Sequence, residues 1–290
     1  MKKTPDTLIV AAVVLAAVAV SAQTRWTPAH TADGQPDLQG TWVNFDSTPF
    51  ETPGVELARG NPEVNPPDHW TDNNSPKSAR RQAMVVDPPD GRVPVMPWAE
   101  AVRDFNLAHL GDAPEHETPW VRCITRGVPA GMFPAAYNNA YQIMQVPGYV
   151  VIVSEMIHET RIIPLDGRSH VGANIRQWNG DSRGRWEGNT LVVDTKNYND
   201  KGSIGTSGAT GRIRGIPSSD SLRIVERFTR TDPKTIEYEV TIDDPKVYTR
   251  PWKVAFPLNR DPAYKMYEYA CHEGNLSIPN ELTAGRAQDR

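Results

Sequence analysis

From about residue 139 onward the apolar positions fall every second residue. Ile236, Tyr238, Val240 and Ile242 share one face, while Glu237, Glu239, Thr241 and Asp243 take the other. Trp252, Val254 and Phe256 repeat the pattern. This two-residue period is that of a strand with one wet face and one dry face. The same reading predicts strands over Tyr141–Val146, Tyr149–Glu155, Thr160–Pro164, Arg183–Glu187, Thr190–Lys196, Leu222–Arg230, Thr235–Asp243, Arg250–Pro257 and Tyr264–Cys271. Pro147-Gly148 and Gly188-Asn189 read as hairpin turns, and Asp166-Gly167, Asp232-Pro233, Asp244-Pro245 and Asp261-Pro262 as further breaks. Short connections imply an antiparallel meander, and about eight strands without helices hide their edges best by closing. The expected fold class is all-β: a lipocalin-like antiparallel barrel or strongly curled sheet over residues 136–275.

Residues 23–135 read differently. Leu38–Val43 predicts a first strand, and its Gly40-Thr41-Trp42 is similar to the opening strand of lipocalin-like barrels, where the tryptophan plugs one end. Residues 47–97 carry prolines at 49, 53, 62, 66, 67, 76, 88, 89, 94 and 97 and sustain neither period, which predicts a wrapping arm. Trp70, Met84-Val85-Val86 and Val93-Pro94-Val95 are the segments with which that arm would pack. Pro97–Leu110 predicts the one helix of the arm, with Ala101, Val102, Phe105 and Leu110 on one side. Lys201–Gly215 is a Gly/Ser-rich loop expected to be mobile, and residues 276–290 are expected to be a tail.

The N-terminus predicts export. Lys2 and Lys3 precede an apolar run of 13 residues, Leu8–Val20, and Val20-Ser21-Ala22 forms a small-residue cleavage site. That is the grammar of a secretory signal peptide over residues 1–22, and too short for a membrane span. Loss of Lys2, Lys3 and Asp6 would take the formal charge from −4 to −5. A mildly acidic chain without a basic block has no footprint for nucleic acid or anionic lipid. In an oxidising compartment the two cysteines, Cys123 and Cys271, are expected to form a disulfide.

Five stretches, VDPPDGRVPVMP (86–97), YNNAYQIMQVPGYVVIVSEMIHETRIIPLDGR (137–168), GRWEGNTLVVDT (184–195), YEVTIDDPKVYTRPW (238–252) and YEYACHEGN (267–275), resemble a large group of exported bacterial proteins of unassigned function. The resemblance implies one continuous domain and transfers no catalytic residue.

Candidate chemistry comes from polar residues in phase with apolar ones. Glu226 falls on the face of Leu222, Ile224 and Phe228; Glu155 continues Tyr149, Val151 and Val153; Glu268 is in phase with Tyr264 and Met266. An inward carboxylate is either paired or a candidate acid or base. The structural alternatives are a rim position or an ion pair with Arg161, Arg227 or Arg250. His158 and His272, near strand ends, are the candidate proton-transfer partners. His158, His170 and His272 lack the close pairing of a metal motif, so no metal is expected. Two polar-aromatic clusters, Tyr137, Asn138, Asn139, Tyr141 and Gln142, and Arg176, Gln177, Trp178 and Asn179, offer the stacking faces and directed hydrogen bonds that sugars and phenolics need. Within them Asn138, Tyr141, Arg176 and Trp178, together with Arg161, are the expected ligand contacts.

No GxSxG is present, which disfavours an α/β-hydrolase serine, and neither a GK[ST] phosphate loop nor βαβ alternation is found; no cofactor is expected. Two functional readings lead, with a structural or envelope-interaction role as the third, favoured if no cavity exists. One is a binding protein for a small polar-aromatic or sugar-like ligand. The other is a lyase, isomerase or hydrolase in which Glu226 or Glu155 is the base, His158 or His272 the acid, and Arg161 or Arg176 steadies an oxyanion.

Overall fold

A computed structural model describes residues 26–44, 48–52, 81–135 and 137–288. The leader read over residues 1–22 and the proline-rich stretch 53–80 with Trp70 lie outside the described residues. The elements are β1 (Gly40–Val43), β2 (Val85–Asp87), α1 (Pro97–Ala108), β3 (Ala140–Val146), β4 (Tyr149–Ser154), β5 (Thr160–Pro164), β6 (Asp181–Glu187), β7 (Thr190–Lys196), β8 (Arg223–Asp232), β9 (Thr235–Asp243), β10 (Trp252–Arg260) and α2 (Ser277–Gln288). No helix among the described residues is long and apolar enough to cross a membrane.

Nine strands pair antiparallel in the order β5-β4-β3-β1-β10-β9-β8-β7-β6 and curl into a nearly closed barrel. The seam between β5 and β6 is made by side chains. A Cβ on Gly184 would lie 2.6 Å from Leu165 and 2.9 Å from Ile163, so glycine alone allows this approach. β10 is shared: Asn259 and Arg260 pair with β1, and Lys253 and Val254 with β2 across a bulge. The arm therefore joins the sheet twice.

The barrel expected from the two-residue period is present, and among the described residues a series of aromatic side chains is buried in its core. Phe228, Tyr238 and Phe256 pack with their rings tilted and centroids 5.0 Å apart in each step. Phe133 and Phe50 from the arm extend this aromatic series to Trp252 and Tyr248. Trp42 is fully buried, its Nε1 donates to Leu38 O at 2.8 Å, and the Arg230 guanidinium lies over its ring. The tryptophan of Gly40-Thr41-Trp42 is thus part of the buried core.

Four expectations need correction. Tyr264–Cys271 is not a strand: both edges of β10 are taken by β9 and by β1 and β2, so its alternating text finds no partner. It runs as an extended strap, and Glu268 is exposed. The tail contains α2, docked where a Cβ on Gly285 would meet Gly111 O at 2.6 Å. α1 is turned the other way: Ala99 is buried, whereas Val102 and Phe105 are 40% and 55% exposed. Trp98 Nε1 donating to Lys246 O and the Arg212–Glu100 ion pair fix that orientation. Finally, the Gly/Ser-rich loop is packed, with Ile204, Thr210 and Ile213 buried and Arg212 paired to buried Glu51.

Candidate functional site

The disulfide organises the site. Cys123 and Cys271 are bonded across 148 residues, joining the irregular 119–134 segment to the strap. Between them opens an external cavity of about 440 Å³. Trp120, Tyr137 and Tyr269 form its aromatic wall, and Glu268, Glu273 and Asn275 its polar rim. The Tyr137 and Tyr269 rings stack at 6.1 Å and 24°, with their hydroxyls 3.3 Å apart. Burial, then the Tyr269 hydrogen bond, pushes the Tyr137 phenol up to about 12. It therefore stays a neutral hydrogen-bonding group at physiological pH. Trp120 stands 6.4 Å from Tyr137 and is backed by the Arg126 guanidinium at 5.5 Å.

Two of the predicted acid–base residues hold the strap that carries this wall. Glu155 is buried, accepting Tyr264 Oη at 2.9 Å and Tyr267 N at 2.8 Å. Its burial does not follow from the predicted phase: Val150, Ile152 and Ser154 are the inward positions of β4, and Glu155 turns in only because the strand ends at Ser154. Ile157 and His158 then adopt φ of 61° and 41°, strained values for non-glycine residues and most of all for a β-branched one. This turn brings His158 Nδ1 to 2.9 Å from Tyr269 O. A carbonyl only accepts, so Nδ1 carries the proton. His272 is exposed in the turn after Cys271.

Glu226 points inward as its phase predicted, and it takes the structural alternative. Arg161 Nη1 and Nη2 donate to its two oxygens at 3.0 and 2.5 Å, and Tyr238 Oη donates at 2.9 Å. Burial pulls the Arg161 guanidinium down, but the Glu226 charge and hydrogen bonds outweigh it and leave it raised. Burial, then the same carboxylate, holds the Tyr238 phenol far above its usual range. Glu226, Glu155, His158 and His272 are not among the cavity's lining side chains.

Of the first polar-aromatic cluster only Tyr137 reaches the cavity. Asn138 adjoins it at φ 54°, and Asn139 bonds both backbone groups of Ala135. Tyr141 is buried with its hydroxyl on Gly131 O, and Gln142 accepts from Thr41. The second cluster divides. Trp178 lines a separate small cavity, while Arg176 and Lys246 both bond Asp220 on the surface. Lys246 first and Arg176 second bring the Asp220 carboxyl from its usual 3.8 to about 2. The depressed value means that these contacts favour the fold above pH 4 and that their contribution is lost as pH falls toward 2. Arg176→Gln should raise the Asp220 midpoint in an NMR carboxyl titration. His170 lies between Asp181 and Asp194, apart from the other two histidines' partners.

Trp120, Tyr269, Glu273 and Asn275 were not singled out by sequence. The signals that could have found them are their nearness to the two cysteines and, for the last three, their place in the YEYACHEGN stretch. Among known proteins, the chain matches no family model, no curated protein and no solved structure.

Proposed function

We propose that the protein is an exported binding protein for a small sugar-like or polar-aromatic ligand, received on the aromatic wall beside the disulfide rather than inside the barrel. The observation that carries this reading is the 440 Å³ cavity with Trp120, Tyr137 and Tyr269 on one side and carboxylate and amide groups on its rim. Its volume falls in the range of ligand sites, flat rings match the apolar face of a sugar or a phenolic ring, and the rim supplies directed acceptors and donors. The disulfide supports an oxidising compartment. An acid–base enzyme using Glu226 with His158 would need both to meet one substrate, and Glu226 is engaged by Arg161 and Tyr238.

Tryptophan fluorescence titrated with a panel of sugars and phenolics should show saturable quenching by at least one class. Tyr269→Ala and Trp120→Ala should each weaken that binding about tenfold or more, with unfolding otherwise close to the parent's. A flat response across the whole panel rejects this reading.

A further inference from the structure

Arg126 is anomalous. It is 2% exposed, and among the described residues no carboxylate lies within 4.0 Å of its nitrogens. Its Nη2 donates to Phe133 O at 3.2 Å and its Nε has no partner. Contact with the Trp120 ring eases the burial of this cation without neutralising it. Guanidinium groups removed from water are ordinarily paired, because an uncompensated buried charge is strongly unfavourable.

Arg126 lines the second, small cavity, together with Thr125, Thr206, Ser203 and Trp178. Its free space is about 10 Å³, room for one water-sized occupant. Thr206 is 1% exposed, and its hydroxyl makes no hydrogen bond. Thr125 is already committed, its hydroxyl donating to Glu159, whose carboxylate Asn179 also holds. Ser203 donates to Gly205 O. A buried guanidinium whose Nε has no partner and two buried hydroxyls without one, those of Thr206 and Tyr198, therefore line one cavity of atomic size.

We propose that this cavity is a binding site for a single small anionic acceptor, either a halide ion or one oxygen of a carboxylate, held by Arg126 and the Thr206 hydroxyl. Burial lowers the Arg126 pKa, which is the mark of a charge short of solvation; the fields of Tyr141, Tyr269, Tyr137 and Glu159 offset that only in part. A water molecule would satisfy hydrogen bonds and leave the charge uncompensated. Tetrahedral oxyanions are too large for the space. The site is separate from the aromatic cavity and does not depend on the ligand proposed there.

The test uses the protein with its disulfide intact, melted in sodium gluconate exchanged at constant ionic strength for chloride, bromide, formate or sulfate. Chloride, bromide or formate should raise Tm saturably by about 3 °C, and sulfate should not. A response to formate alone identifies a carboxylate oxygen as the occupant, and a response to the halides identifies a free ion. Thr206→Val removes an unpaired hydroxyl, so it should match or exceed the parent in gluconate and lose that standing in the responsive anion. Arg126→Gln should abolish the response. Should that variant fail to fold, Thr206→Val and the anomalous signal of bromide-soaked crystals beside Arg126 decide the matter. Equal melting in every salt, with no bromide peak at Arg126, overturns the proposal and leaves a water site.

Discussion

Glu226→Gln is expected to lower the free energy of unfolding by about 3–5 kcal/mol, read from urea denaturation. The amide can still accept from Tyr238, but it leaves the Arg161 guanidinium charged and buried inside the barrel. Glu226 is 0% exposed and sits on β8 opposite Val193 of β7 and Val240 of β9, so water cannot reach in to compensate. The penalty belongs to the broken pair rather than to the intact one. Replacing all three members together, as Arg161→Met, Glu226→Leu and Tyr238→Phe, should recover most of the loss, because no polar atom of the triad is then left unpaired. A general acid or base at Glu226 predicts the reverse pattern, with stability nearly unchanged by Gln and a reaction abolished. Finding Glu226→Gln as stable as the parent would remove the structural reading of this carboxylate.

That pair also shows what the primary structure discloses. The phase of Leu222, Ile224 and Phe228 placed Glu226 inward, and Arg161 was among its three possible partners, because strand alternation is a local property. The same local rule fixed β5, β7 and β9 to the residue. It failed for Tyr264–Cys271, where Tyr264 and Met266 alternate as in a strand. Sheet membership also needs a free edge, and β1, formed more than 200 residues earlier in the chain, holds the one beside β10. α1 misled for a related reason. Its Val102 and Phe105 do share a face, but Trp98 and Glu100, bonded to Lys246 and Arg212, decide which face meets the barrel. The candidate site was the least legible part. Its wall comes from residue 120, residue 137 and the strap after residue 264, three segments without a common period, and a covalent bond brings them together.

That bond sets the second large effect. Cys123→Ser with Cys271→Ser opens a loop of 148 residues, and the chain-entropy model assigns its closure about 5 kcal/mol. The barrel strands pair independently of it, through β3–β10 and the strands β1 and β2 that the arm contributes, so the double variant should remain folded with a depressed urea midpoint. The strap has other ties: Glu155 holds Tyr264 and Tyr267, His158 holds Tyr269, and Asn275 Nδ2 reaches Val121 O at 3.3 Å. All but the last lie on the strap's approach to the cavity, before Cys271. Without the disulfide the Tyr269 side of the wall keeps its hydrogen bonds, while the rim with Glu273 loses its covalent anchor to the Trp120 side. Affinity for the ligand proposed above is therefore expected to fall more steeply than barrel stability, and amide exchange should accelerate in residues 268–277 while β7, β8 and β9 keep their protection. Uniform acceleration through the strands would instead mean that the bond secures the whole barrel, and the cavity would then owe its shape to global stability rather than to this local tie.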